Sequence, residues 1–163
     1  MKLNNLLKSK ITKKTIVAYT DGSCIGNPGY AGWGVYLHRT KNGKGQSRRL
    51  SGSHPCATNN MMEMQGAIEA LKATKKNNHL VVYTDSKYVQ KGITEWVFGW
   101  EAKNYRNVKN ADMWRELKAL TAGRHITWRW VKGHSGVEGN EIADKLARTA
   151  AEDIRDADIC NEH

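Results

Sequence analysis

Two stretches of the chain share one pattern, an apolar and β-branched run that ends on an aspartate. Val17-Ala-Tyr-Thr-Asp21 is followed by Gly22, and Val81-Val-Tyr-Thr-Asp85 by Ser86. Runs of this length bounded by Gly or Ser read as buried strands. The same patterning predicts strands near Thr15–Thr20, Trp33–Arg39 and Gln46–Ser53, with Gly-rich Asp21–Gly32 as a turn between the first two. Lys41-Asn-Gly-Lys-Gly45 reads as a hairpin loop, because Asn-Gly supplies the positive φ that such turns require. A helix follows over Asn59–Lys75, where Met61, Met64, Ile68 and Leu71 form a stripe expected to face the sheet. Beyond it come a strand at Leu80–Thr84, a short helix at Ser86–Ile93 capped by Asp85 or Ser86, and a Trp-rich segment leading into a polar loop. A helix at Ala111–Thr121, a strand at His125–Val131 and a final helix at Glu138–Glu152 complete the series, the last with Ile142, Leu146 and Ala150 inward.

The order β-β-β-α-β-α-β-α belongs to the α/β class, a mixed sheet with helices on its faces. If the two aspartate-tipped strands are parallel neighbours, their backbones lie about 4.8 Å apart. Both carboxylates then crowd one end of the sheet. Unit charges about 4 Å apart repel by roughly 4 kcal/mol at an effective dielectric near 20. A cation between them would remove that cost. Taken singly, Asp-Gly is a common turn and Asp-Ser a common helix start; the matched pair points to a metal.

Charge changes the picture further. Through Met62 the chain carries ten Lys and Arg against one acid, Asp21, within a formal net charge of +10. A polyanionic partner follows, nucleic acid first. Residues 1–13 read as a basic arm, 14–151 as the functional domain, and 152–163 as an acidic, frayed tail. No stretch nears the roughly 20 apolar residues of a membrane span, and the interrupted N-terminus argues against a secretory signal. Cys24, Cys56 and Cys160 form no C-x-x-C pair, which fits neither a zinc site nor a disulfide framework and suits a reducing cytoplasm. Of the six Trp, Trp33 and Trp130 are expected in the core.

Further acids are available to such a site. Glu63 lies one turn into the first long helix and can overhang the strand ends; Asp144 lies in the last helix, after Asn140 and Glu141. The blocks Thr20-Asp-Gly-Ser-Cys-Ile-Gly-Asn-Pro-Gly29, Thr58-Asn-Asn-Met-Met-Glu63, Tyr83-Thr-Asp-Ser86, Trp130-Val-Lys-Gly-His-Ser-Gly136 and Asn140-Glu-Ile-Ala-Asp144 fall in order. Over roughly Thr15 to Ala151 the chain closely resembles a bacterial type 1 ribonuclease H, which cuts the RNA strand of an RNA/DNA hybrid.

The resemblance implies a ribonuclease H-like fold with a five-stranded sheet in the order 3-2-1-4-5. It implies Asp21, Glu63, Asp85 and Asp144 as metal-binding catalytic carboxylates, and His134 as the group for proton transfer or product release. The cofactor would be Mg²⁺, two ions with substrate bound, and Mn²⁺ could substitute. Cys24, Asn27, Asn59 and Asn60 match contacts to the RNA 2′-hydroxyls. Thr58 and Asn110 match a DNA phosphate pocket, Trp96 and Trp114 (with Trp128 as a further match) the DNA-binding channel, and Lys87 replaces a minor-groove glutamine. Met61 replaces a phosphate-binding arginine, and Glu101–Asn107 shortens a lysine-rich protrusion, a loss for which the arm could compensate. A monomer acting on RNA/DNA hybrids in the cytoplasm, leaving 5′-phosphate and 3′-hydroxyl ends and touching no membrane, is the expectation. Its rivals are a DNA nuclease of the same broad fold and a catalytically silent hybrid-binding module.

Overall fold

In a computed structural model, which describes residues 14–161 and side chains to Asp158, the β-branched runs form one five-stranded sheet. The expected arm at 1–13 lies outside the described residues. Strands β1 (Thr15–Ile25), β2 (Gly29–Lys41) and β3 (Lys44–Ala57) make an antiparallel meander. Strands β4 (His79–Thr84) and β5 (Ile126–Trp130) run parallel to β1, and the spatial order is β3-β2-β1-β4-β5. The parallel register pairs Thr20 with Thr84, so Asp21 and Asp85 leave neighbouring strands at one level.

The meander is longer than its apolar runs. The segment expected as one long turn is mostly strand, because Cys24 and Ile25 still pair with Ala31 and Tyr30, and the chain reverses only around Gly26 (φ 76°).

Helix α1 (Asn59–Lys72) packs Met64, Ile68 and Leu71 against the sheet beside Val35, Leu80 and Val82. Met61, expected in that stripe, is half-buried against a small cluster of Ala31, Ala57 and Met62. The helix stops short of Lys75, and Arg124 satisfies its C-terminal end, donating to the Leu71 carbonyl at 2.7 Å and to Thr74 Oγ1 at 2.8 Å.

Helix α2 (Lys87–Lys91) is capped by Ser86, whose Oγ accepts from the Val89 amide at 3.1 Å. A π-turn at Gly92–Trp96 and helix α3 (Val97–Ala102) order the Trp-rich segment. Helix α4 (Ala111–Thr121) brings in Trp114, the fully buried tryptophan; Trp130, expected in the core, is 40% exposed, and Trp33 is half-buried.

Helix α5 (Glu138–Asn161) covers the opposite face of the sheet. Its buried residues include Gly139, Asn140, Ala143, Ala147 and Ala151, and Ile142, Leu146 and Ala150, expected inward, are half-buried, the last two with their Cβ atoms turned to Gly34 and Gly32. The reason lies in β2: a Cβ on Gly32 or Gly34 would come within 2.3 Å of the Ala147 or Ala143 carbonyl oxygen, so the contact admits only small residues on both sides. Past Gly139 the sequence has neither Gly nor Pro, so α5 continues through the acidic stretch expected to fray, and Asp158 accepts the Tyr30 hydroxyl at 2.5 Å.

Candidate active site

Strand ends and one helix assemble a group of three carboxylates. Asp21 follows the buried core of β1, Asp85 follows β4, and Glu63 reaches them from the second turn of α1. One oxygen from each lies within 4.8 Å of the others. The close approach of α1 depends on Gly22, where a Cβ would meet the Glu63 amide nitrogen at 2.5 Å. The Asp-Gly pair is therefore a contact between strand and helix; β1 does not turn there. Gly133 approaches in the same way, since a Cβ there would sit 2.8 Å from Asp85 Oδ2.

Burial sets the electrostatics. Asp21 and Glu63 are 3% and 5% exposed. Burial, with the charges of Asp85 and Asp144 adding to it, pushes the Asp21 carboxyl up from 3.8 to about 7. Burial first and Asp21 second push Glu63 well above the ordinary carboxylate range. Asp85 is also raised, mainly by burial, while the neighbouring His134 works against the rise. Glu63 Oε2 is buried with no hydrogen-bond partner among the described residues. A divalent cation fits these observations: an all-oxygen donor set, an orphaned buried oxygen, and carboxylates whose pKa values are raised by burial and mutual repulsion for want of positive charge.

Asp144 stands at the rim of this group. It lies on α5, half-buried, and Arg148 Nε donates to its Oδ2 at 3.0 Å. His134 sits exposed on the turn after β5 with a left-handed backbone, φ 55°.

The residues matched to substrate recognition fall into two sets. Asn27 Oδ1 accepts the Asn59 amide at 3.0 Å, which ties the β1–β2 turn to the start of α1. Thr58 caps α1, its Oγ1 accepting from the Met61 amide at 3.2 Å; Asn59 and Asn60 are exposed beside it. Cys24 is half-buried, its sulfur 3.0 Å from the Ala57 carbonyl oxygen. Across the site, Lys87 Nζ lies 4.8 Å above the Trp130 ring, and the Trp130 indole donates to the Asp85 carbonyl at 2.8 Å.

The second set centres on Tyr88, which sequence reasoning missed. Its hydroxyl accepts from Asn110 Nδ2 and from Trp114 Nε1, both at 3.1 Å. Asn110 adopts φ 58° at the start of α4, and Trp96 is 42% exposed near Tyr88. Trp114, matched to the DNA-binding channel, is fully buried beneath Tyr88 and Gly92 and donates to the Tyr88 hydroxyl that also takes Asn110. No periodicity marked Tyr88, because its partners come from α4 and the loop before it.

Comparisons with known proteins agree with this geometry. The RNase H family model matches residues 13–152. The Ribonuclease H of Francisella philomiragia subsp. philomiragia is 45% identical over 147 residues, spanning 87% of this chain and 94% of that protein. A crystal structure of a type 1 RNase H with the type 2 active-site motif superposes with a TM-score of 0.79 at 33% identity, covering 86% of this chain and 73% of that one. The RNase H1 of the halophilic archaeon Halobacterium salinarum superposes with a TM-score of 0.64 at 25% identity, covering 85% of this chain and 98% of that one.

Proposed function

The chain belongs to the ribonuclease H family, in its bacterial type 1 branch, and from that premise we propose that it hydrolyses the RNA strand of RNA/DNA hybrids by two-metal-ion catalysis, leaving 5′-phosphate and 3′-hydroxyl ends. The observation that carries the reading is the convergence of Asp21, Glu63 and Asp85 within 4.8 Å, two of them buried and raised in pKa. Two divalent cations, Mg²⁺ with Mn²⁺ as a substitute, would be held by these three, Asp144 and substrate phosphate, and would supply a nucleophilic water at neutral pH and charge stabilisation for the leaving oxygen.

The protein's own groups do the rest. Gly22 and Gly133 hold the carboxylates of Glu63 and Asp85 in place by backbone approach. His134, exposed at the rim, gives a proton to the departing 3′ oxygen. Arg148 pairs with Asp144 at the edge of the group until substrate arrives. Cys24, Asn27, Asn59 and Asn60 line one side, where neutral donors and acceptors read 2′-hydroxyls. Thr58, Asn110, Trp96 and Lys87 serve the DNA strand and minor groove, with Tyr88 and Trp114 fixing Asn110 from behind. The protein works as a monomer in the cytoplasm. Among the described residues no helix is long and apolar enough to cross a membrane.

Matched RNA/DNA, DNA/DNA and RNA/RNA duplexes, each with Mg²⁺ and with chelator, test the reading. Metal-dependent cutting of the hybrid's RNA strand supports it. Cutting of DNA/DNA would instead favour a DNA nuclease, and binding without cleavage a silent module.

A further inference from the structure

A cavity of about 960 Å³ opens at the end of the sheet opposite the carboxylates, between the start of β1, the β2–β3 hairpin and the segment after α1. Ile16, on its wall, precedes Asp21 by five residues, which places the two roughly 17 Å apart along an extended strand. Its cations come from four parts of the chain: Lys14, Arg39, Arg48 and Lys75. Among the described residues no acid lines it and none of these four is in an ion pair, the salt bridges being made by Lys72, Arg115, Arg148 and Arg155. Arg39 Nε donates instead to the neutral Gln46 Oε1 at 3.0 Å, which orients the guanidinium without cancelling its charge. Cross-strand pairing puts Arg39 opposite Gln46 and Leu37 opposite Arg48, so both arginines border the same apolar floor of Ile16, Leu37 and Ala73.

We propose that this cavity is a second ligand site, separate from the hybrid groove, and that it takes a nucleoside polyphosphate. Uncompensated like charges around one space call for a polyanion, and guanidinium forks match phosphate oxygens in pairs. The apolar floor offers a seat for a base, and Asn77 and Asn78 at the wall supply amide donors and acceptors for its edge. The volume falls in the range of small-molecule pockets, which favours a mononucleotide over a macromolecular chain.

Isothermal titration of the full chain in chelator, so that no cation recruits phosphate to the carboxylates, tests the assignment with ATP, inorganic triphosphate, adenosine and an oligo-aspartate peptide. ATP should bind at least about tenfold more tightly than each of the other three. Arg39→Ala with Arg48→Ala should weaken ATP at least about tenfold and leave hybrid cleavage unchanged, with a melting curve confirming the fold. The proposal is overturned if ATP does not bind, if triphosphate or the peptide binds as tightly, or if the double variant keeps its ATP affinity. A loss of hybrid affinity in that variant would also overturn it, by assigning the cavity to the hybrid track and leaving the catalytic reading intact.

Discussion

Replacing Asp21 with Asn should make the metal-free protein more stable while removing its activity. Asp21 is 3% exposed, and burial raises its carboxyl from 3.8 to about 7. Between those values the folded chain binds a proton that the unfolded chain has released, so stability falls as pH rises through the window. Near pH 4 the loss is small. At pH 8, above both values, it is complete. A rise of close to three pKa units, at about 1.36 kcal/mol each, makes it on the order of 4 kcal/mol. Asparagine is close in size and neutral, and its side-chain oxygen can still accept the Gly22 amide, now 2.9 Å from Asp21 Oδ1. For a chain of this size about 1 kcal/mol moves the melting temperature by roughly 2–4 °C. Thermal melts in chelator should therefore show Asp21→Asn ahead of the parent by roughly 8–16 °C at pH 8, with the gain shrinking to a few degrees at pH 4. Mg²⁺ should raise the parent at pH 8 more than the variant. Equal melting at pH 8, or the same gain at both pH values, would refute the idea that crowded, buried carboxylates destabilise the metal-free site.

Other perturbations address separate parts of the account. Gly133→Ala puts a methyl 2.8 Å from Asp85 Oδ2, and hybrid cleavage should drop at least about tenfold with little change in melting; full activity would contradict the close approach. Trp114→Phe leaves a void and strips the Tyr88 hydroxyl of one donor, a loss of about 2–4 kcal/mol in melting that should come with a higher KM for hybrid. An unchanged KM would deny Trp114 its role in placing Asn110. Deleting residues 1–13 should weaken hybrid binding and flatten its salt dependence, and an unchanged slope would rule out a compensating arm.

The strand cores and the aspartates at their tips were legible because β-branched runs and an abrupt Gly or Ser are local properties. Asp21 beside Asp85 follows once the two strands are parallel neighbours. At α5 the pattern was incomplete: Leu146 and Ala150 do turn their Cβ atoms to Gly34 and Gly32, but the alanines buried beside them, Ala143, Ala147 and Ala151, are too small to leave an apolar stripe in the sequence. Trp114 shows the converse difficulty, since burial of a large indole depends on Gly92 and Tyr88, distant in sequence from it. Asp144 was found through the resemblance, but its pairing with Arg148 and its place at the rim are properties of the folded helix. The basic cavity was beyond sequence reasoning because its cations come from four separate parts of the chain.

Diffraction from crystals of the protein with an uncleaved RNA/DNA hybrid and Mn²⁺, collected at the manganese absorption edge, tests the metal site most directly. The account predicts two anomalous peaks at the strand ends, bounded by Asp21, Glu63, Asp85 and Asp144, with the RNA phosphate beside them. Hybrid bound in the groove with no manganese among those carboxylates would contradict it.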